Sequence, residues 1–201
     1  MLQLDILRHG ETVLSHTLRG HTDDELTVQG WRQMQATVAS GLQQPILWQV
    51  IVSSPLKRCA QFAEQLAAEL QLPLMYESGF KEMHFGDWEA RPSAEIYAQS
   101  PELLANFWQQ PTRFSPPNGE KLADFQLRVL SAIEQLKQQM LHQVWSHALL
   151  VSHGGVIKLL KCLAQAQALD DILTMKAELG QLNTFRLQAH TETIEYIGEL
   201  A

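Results

Sequence analysis

Cysteine is scarce in this chain: there are two in 201 residues, Cys59 and Cys162. Neither belongs to a Cys-x-x-Cys pair, and each falls in a stretch of helical pattern. That spacing argues against zinc and dithiol redox chemistry and leaves both as small buried fillers. Positive charge is short as well, with 15 Lys and Arg against 22 Asp and Glu and a formal net charge of −7. A chain of that balance is a poor partner for nucleic acid, whose phosphates must be neutralised by lysine and arginine. It remains compatible with a small anionic substrate, because a local pocket can be positive on a negative protein. No apolar run is long enough to span a bilayer, and Met1–Asp5 lacks the basic-then-apolar pattern of a signal peptide. Internal repeats, low-complexity segments and interdomain linkers are missing too. These absences lead to the expectation of one domain over residues 1–201, in the cytoplasm, with no nucleic-acid or membrane partner. Monomer and homodimer are both left open.

What is present is an ordinary globular balance, 45% hydrophobic and 18% charged residues, in a chain long enough to bury a sizeable core. Leu2 to Leu7 reads as a buried strand, followed by a polar loop from Arg8 to about Leu26. Thr27 is placed to cap a helix carrying Trp31, Met34 and Val38, which Gly41 and Pro45 punctuate. Trp48 to Val52 is a second strand, running into a helix capped by Ser54 that reaches about Leu70. Leu74–Tyr76 is a short strand. The stretch from Gly79 to Gly119, bounded by irregular sequence and rich in aromatics, reads as an inserted cap with two short helices. A long amphipathic helix spans Glu120 to Trp145, a strand Ala148 to Val151, a helix Val156 to about Ala166, and two closing strands Thr184–Leu187 and Thr193–Ile197. Strands alternating with helices predict an α/β three-layer sandwich, with a mostly parallel central sheet, helices on both faces and a small helical cap over the carboxyl ends of the strands.

Three times a predicted strand ends in residues of catalytic type: Arg8-His9, then Ser53 to Arg58, then Ser152-His153-Gly154-Gly155. In a mainly parallel sheet these ends share one edge, where open α/β sheets bind ligands. His9 and His153 would then meet Arg8 and Arg58. Two guanidinium forks and two imidazoles suit a dianionic phosphoryl group, and the amides around Gly154 add donors at a helix start. Taken singly, Arg58 is an ordinary solvated helix residue and His153 an ordinary strand-end histidine; their joint placement favours a site. His16, His21, His84, His142, His147 and His190 show no metal-ligand spacing, and no metal is expected.

Four motifs resemble those of the histidine phosphatase superfamily, with its phosphoglycerate-mutase-like fold. They are Leu7-Arg8-His9-Gly10-Glu11-Thr12, the run Ser53 to Gln61, the run Lys81 to Glu89, and Val151-Ser152-His153-Gly154-Gly155. They occur in the right order and cover essentially the whole chain. The resemblance implies that His9 is a nucleophile that becomes phosphohistidine. It implies that Arg8, Arg58 and His153 hold the phosphoryl group and that Glu82 is the proton donor to the leaving group. Arg19, Gly20 and Thr22 match a loop that follows the signature in such proteins. Two departures stand out. Ser15 replaces an asparagine that lines the phosphate pocket in many members, and is kept as a weaker phosphate ligand. Ala90 replaces a glycine after Trp88-Glu89. No cofactor is implied.

Glu82 to Arg91, Trp108 and Pro117 to Glu120 further resemble the branch acting on α-ribazole 5′-phosphate in cobalamin biosynthesis. The aromatics of the cap either stack on a flat base or form core. A phosphoglycerate mutase is a weaker match, since mutases tend to carry a longer insertion after the glutamate motif. A broad-specificity or phosphoprotein phosphatase, and a non-catalytic phosphoryl-binding protein, complete the alternatives. Retention of His9, Arg58, Glu82 and His153 together speaks against the last.

Overall fold

The structure is a computed structural model that describes residues 1–42 and 48–200. Pro45, read as a helix terminator, lies outside the described residues. Six strands form one sheet in the order β3-β2-β4-β1-β5-β6. They are β1 (Leu2–Arg8), β2 (Val50–Ser53), β3 (Leu74–Tyr76), β4 (His147–Ser152), β5 (Leu182–Leu187) and β6 (Ile194–Leu200). The first four run parallel, and β5 and β6 are antiparallel additions at one side.

Strand alternation divides the core in two. Leu4, Ile6, Val50, Val52, Ala148 and Leu150 face one cluster, shared with α5 (Leu122–His142) and α6 (Gly154–Ala164). Leu7, Ile51, Leu149 and Val151 face the other, shared with α1 (Val28–Gly41) and α2 (Lys57–Leu70). The period of two in the strands therefore puts helices on both faces, as the sequence pattern predicts. One charge interrupts the apolar run of β1. Asp5 is compensated locally, accepting from Trp48 Nε1 and Thr184 Oγ1, each at 2.8 Å.

The segment 79–119 carries two 3₁₀ turns' worth of irregular backbone and the short helices α3 (Ser93–Gln99) and α4 (Pro101–Gln109). Three of its large aromatics are core. Phe80, Trp88 and Phe107 are buried, and the Trp88 and Phe107 rings meet edge-on at 5.6 Å. Those three rings are therefore not available to stack on a ligand. Tyr97 and Trp108 are exposed instead.

Several element starts differ from the sequence reading. Helix α2 begins at Lys57, and its N-cap position is Leu56, while the Ser54 hydroxyl lies 2.8 Å from His153 Nε2 and accepts from the Leu56 amide, ahead of the helix, at 3.4 Å. Helix α6 begins two residues early, at Gly154, with His153 at the cap position. Helix α5 starts at Leu122 because Glu120 is drawn off to pair with Arg128 at 2.7 Å. Strand β5 starts at Leu182, before the Thr184 that β-propensity favours.

Ala90 shows what its departure from glycine does. Its backbone has φ +57°, a left-handed conformation that glycine adopts without Cβ strain. Hydrogen bonds on either side, Ala90 N to Leu18 O and Leu18 N to Arg91 O, fix it there. The alanine therefore holds a conformation in which its Cβ crowds the backbone. Ala90→Gly is expected to stabilise the fold by about 1 kcal/mol. A thermal scan should show a rise of roughly 2–4 °C for a chain of this size.

Candidate active site

Strands β2, β4 and β1 are parallel neighbours, so Ser53, Ser152 and Arg8 end at one edge of the sheet. His9 follows β1, and its amide donates to Ser152 O at 3.0 Å. The His9 and His153 rings lie 5.4 Å apart between centroids. Both are buried.

The tautomer of His9 is set by its neighbour. Nδ1 lies 2.8 Å from Gly10 O, and a carbonyl only accepts, so Nδ1 carries the proton and Nε2 keeps its lone pair. Burial pushes the His9 pKa well below 6.5, and the Arg58 and Arg8 guanidinium groups push it further down. The ring is therefore neutral at neutral pH. His153 is driven the same way, by burial first and then by Arg58 and His9. Its Nε2 is 2.8 Å from Ser54 Oγ, and Cys59 Sγ sits 3.7 Å from the same nitrogen. Burial raises the Cys59 thiol to about 12, so it is an inert protonated filler beside the ring.

Arg58 is fully buried and clamped by its two terminal nitrogens. Nη2 donates to Gly20 O at 2.7 Å and Nη1 to Thr22 O at 2.8 Å, with Asp24 Oδ1 at 3.3 Å. Arg8 donates to Ala177 O, on the segment that leads into β5. Arg19 donates to Thr12 Oγ1 and to Ser15 Oγ, the latter at 3.3 Å, and pairs with Asp24 at 3.6 Å. Three guanidinium groups thus converge from three segments. In each of them the buried Nε has no hydrogen-bond partner among the described residues. Buried, unspent donors of one charge suit an oxyanion.

Glu82 lies beside this cluster. Oε1 accepts from its neighbouring Met83 amide and Oε2 from the Gly155 amide, each at 3.0 Å. Glycine at 155 leaves the carboxylate its place, since a Cβ would come within 2.0 Å of Glu82 Oε1 and displace it. Gly154 is less tight, with a Cβ placed 3.1 Å from Arg8 Cζ. So the start of α6 seats both the carboxylate and the arginine. Arg128 braces the Glu82 segment from behind, donating to the carbonyls of Gly79, Lys81 and Glu82.

All ten residues singled out from the sequence fall in this neighbourhood, with different duties. Gly20 and Thr22 present backbone carbonyls to Arg58, and the Thr22 hydroxyl donates to Glu89. Ser15 Oγ accepts from Thr12 N at 2.9 Å as well as from Arg19. Sequence reasoning missed Ser54, Asp24, Glu89 and Arg128 as site-building residues. Only Ser54 and Glu89 lay inside quoted motifs. Asp24 and Arg128 lay outside those motifs; each has one partner nearby in sequence, Arg19 and Glu120, while Arg58 and the carbonyls of Gly79, Lys81 and Glu82 are far along the chain. Among the described residues no three His, Cys, Asp or Glu side chains gather as metal ligands, and no helix is long and apolar enough to cross a membrane.

Residues 4–199 match the family model described as histidine phosphatase superfamily (branch 1). The chain belongs to the histidine phosphatase superfamily. On that membership, and on its named phosphatase relatives, it is a phosphoric monoester hydrolase. It is 31% identical over 166 residues to the adenosylcobalamin/alpha-ribazole phosphatase of Escherichia coli strain K12, covering 79% of this chain and 77% of that one. It is 28% identical over 198 residues to a glucosyl-3-phosphoglycerate phosphatase of Mycolicibacterium vanbaalenii, covering 94% and 85%. The crystal structure of the alpha-ribazole phosphatase from Shigella flexneri superposes with a TM-score of 0.82 at 25% identity, covering 98% of this chain and 95% of that one. Some mycobacterial relatives are longer, and the chain spans 44% of their length.

Proposed function

We propose that this phosphatase hydrolyses a small phosphomonoester in two displacements through a phosphohistidine on His9, without a metal ion. One observation carries the reading. The His9 ring is held neutral with its Nε2 lone pair free, among three buried arginines whose Nε donors are unspent. Nε2 attacks phosphorus in line, and the bond from phosphorus to the leaving alcohol breaks. Arg8, Arg58, Arg19 and His153 take up the charge on the equatorial oxygens. Glu82 gives its proton to the departing oxygen. It then takes a proton from water, whose oxygen attacks phosphorus and breaks the phosphorus–nitrogen bond. Inorganic phosphate leaves, and Gly154 and Ser15 contribute donors at the rim.

For the alcohol we favour α-ribazole 5′-phosphate. The support is the resemblance over Glu82 to Arg91 and Pro117 to Glu120 together with the E. coli relative of that name. With Phe80, Trp88 and Phe107 committed to the core, recognition of a flat base falls to the partly exposed rings around the cleft, such as His21 and His84, whose centroids lie 4.9 Å apart.

A pulse of labelled substrate should leave acid-labile phosphate on the protein, and turnover should survive a strong chelator. Absence of the label, or loss with the chelator, removes the respective half of the mechanism. Glu82→Gln should slow release of alkoxide leaving groups by roughly 10²–10⁴-fold while sparing activated aryl phosphates. Equal losses on both would argue against the donor role. A panel of α-ribazole 5′-phosphate, nucleoside monophosphates, phosphoglycerates and phosphopeptides tests the alcohol. Preferential isomerisation of phosphoglycerate would overturn the choice.

A further inference from the structure

Glu89 lies on the cap side of the cleft, yet its carboxylate is built into the opposite wall. Oε2 accepts from the amides of Gly20 and Thr22 at 3.1 and 2.8 Å and from Thr22 Oγ1 at 2.5 Å. Oε1 accepts from the amides of His21 and Phe85, each at 2.9 Å. Three successive amides, 20 to 22, thus converge on one carboxylate. Such a run of backbone N–H groups is an anion-binding concavity, here filled by the chain's own side chain. The fit leaves no slack, because a Cβ on Gly20 would lie 2.3 Å from Glu89 Oε1 and 2.0 Å from Met83 O. Burial would raise the Glu89 pKa, but the Thr22 hydroxyl and the Phe85, His21 and Thr22 amides outweigh it and hold the carboxyl below its usual value.

The same loop faces Arg58 with its carbonyls. Gly20 O and Thr22 O, whose own amides bind Glu89, accept the two terminal nitrogens of Arg58 at 2.7 and 2.8 Å. The peptide units therefore link the cap carboxylate to the buried guanidinium, with donors on one side and acceptors on the other. Moving the loop by even an ångström would re-aim Arg58, and misplacement on that scale costs about 10²-fold in rate.

We propose that Glu89 is a positioning residue for phosphoryl transfer: by holding the Gly20–Thr22 turn it sets the orientation of Arg58 and couples the cap to the phosphate cradle. The inference rests on Arg58 being a phosphoryl ligand. Glu89 itself touches neither substrate nor reacting atoms.

The test uses Glu89→Ala and Glu89→Gln in the full chain. Glu89→Ala empties the concavity, and Glu89→Gln turns one acceptor oxygen into an amide donor facing other donors. Two quantities are read: kcat/KM on p-nitrophenyl phosphate, and inhibition by orthovanadate, whose binding needs the cradle but no turnover. Glu89→Ala should lose about 10²-fold in kcat/KM and a comparable factor in vanadate affinity. Added formate, a carboxylate small enough for the concavity, should restore most of both in Glu89→Ala and nothing in Glu89→Gln or the wild type. Wild-type vanadate affinity in Glu89→Ala, or a loss that formate does not reduce in protein with a native circular-dichroism spectrum, would overturn the proposal. Should Glu89→Ala fold poorly, Thr22→Val removes one of the five donors. A drop in vanadate affinity without a fall in melting temperature then supports the link, and unchanged affinity overturns it. If the wild type forms no phosphohistidine, the catalytic reading fails on that result alone, while vanadate binding still reports on the Glu89 link.

Discussion

His9→Ala is expected to abolish turnover, by roughly 10⁵–10⁶-fold as loss of a covalent nucleophile does elsewhere, and to leave no acid-labile phosphate after a substrate pulse. The fold should tolerate the change. Among the described residues the imidazole makes one hydrogen bond, from Nδ1 to Gly10 O, worth about 1 kcal/mol. Removing the ring leaves the three arginines in place, so the variant should still bind orthophosphate. That combination separates two readings of the site: binding without turnover assigns the chemistry to His9, whereas substantial turnover in His9→Ala would remove it as nucleophile. The pH profile of the wild type is part of the same expectation. In the proposed mechanism the neutral ring attacks, and burial with Arg58 and Arg8 holds its pKa well below 6.5. Activity should therefore persist as pH falls through 6.5, where a solvent-exposed histidine would protonate, and fail only when pH reaches the depressed value. An acid limb centred at an ordinary histidine value would contradict the environment of this ring.

The strand ends were legible in the sequence for a physical reason. A parallel strand buried on both faces reads as a short apolar run, and the abrupt change to Arg8-His9, Ser53 and Ser152-His153 marks where the chain leaves the core. The cradle's supports were not legible. Arg58 depends on carbonyls of Gly20 and Thr22, more than thirty residues away, and any residue type offers a carbonyl. Arg128 holds the Glu82 segment in the same way, through the carbonyls of Gly79, Lys81 and Glu82, more than forty residues away. Helix starts failed where a polar residue had a stronger tertiary partner. Ser54 is a good N-cap by type, but its hydroxyl faces His153 at 2.8 Å and reaches only the Leu56 amide, ahead of the helix, at 3.4 Å. The aromatic segment was ambiguous because stacking surfaces and core share a composition, and burial decided for Phe80, Trp88 and Phe107. Resemblance over the Glu82 to Arg91 run also gains a physical content. Glu89 in that run braces the loop whose carbonyls accept from Arg58.

Arg58→Met tests the cradle and its cost together. Arg58 has no exposed surface and faces Asp24 at 3.3 Å, so the substitution leaves a buried carboxylate short of one partner. Breaking a buried pair from one side typically costs about 3–5 kcal/mol. Arg19, 3.6 Å from Asp24, supplies a second cation, which places the expected loss near the lower end. The Gly20 and Thr22 carbonyls lose their donors as well. A fall of roughly 6–12 °C in melting temperature follows for about 3 kcal/mol in a chain of this length. Adding Asp24→Asn removes the stranded charge, so the double variant should recover much of that stability. Turnover should behave differently. A donor lost from the developing charge costs roughly 10²–10³-fold, and neutralising Asp24 returns no guanidinium to the phosphoryl group. The double variant is thus expected to be stable and slow. Recovery of activity along with stability would mean that Arg58 serves the fold alone and that Arg8 and Arg19 carry the phosphoryl group without it. Failure of stability to recover would mean that the loss comes from the emptied volume and the unpaired carbonyls, because the charge has then been removed and the deficit remains.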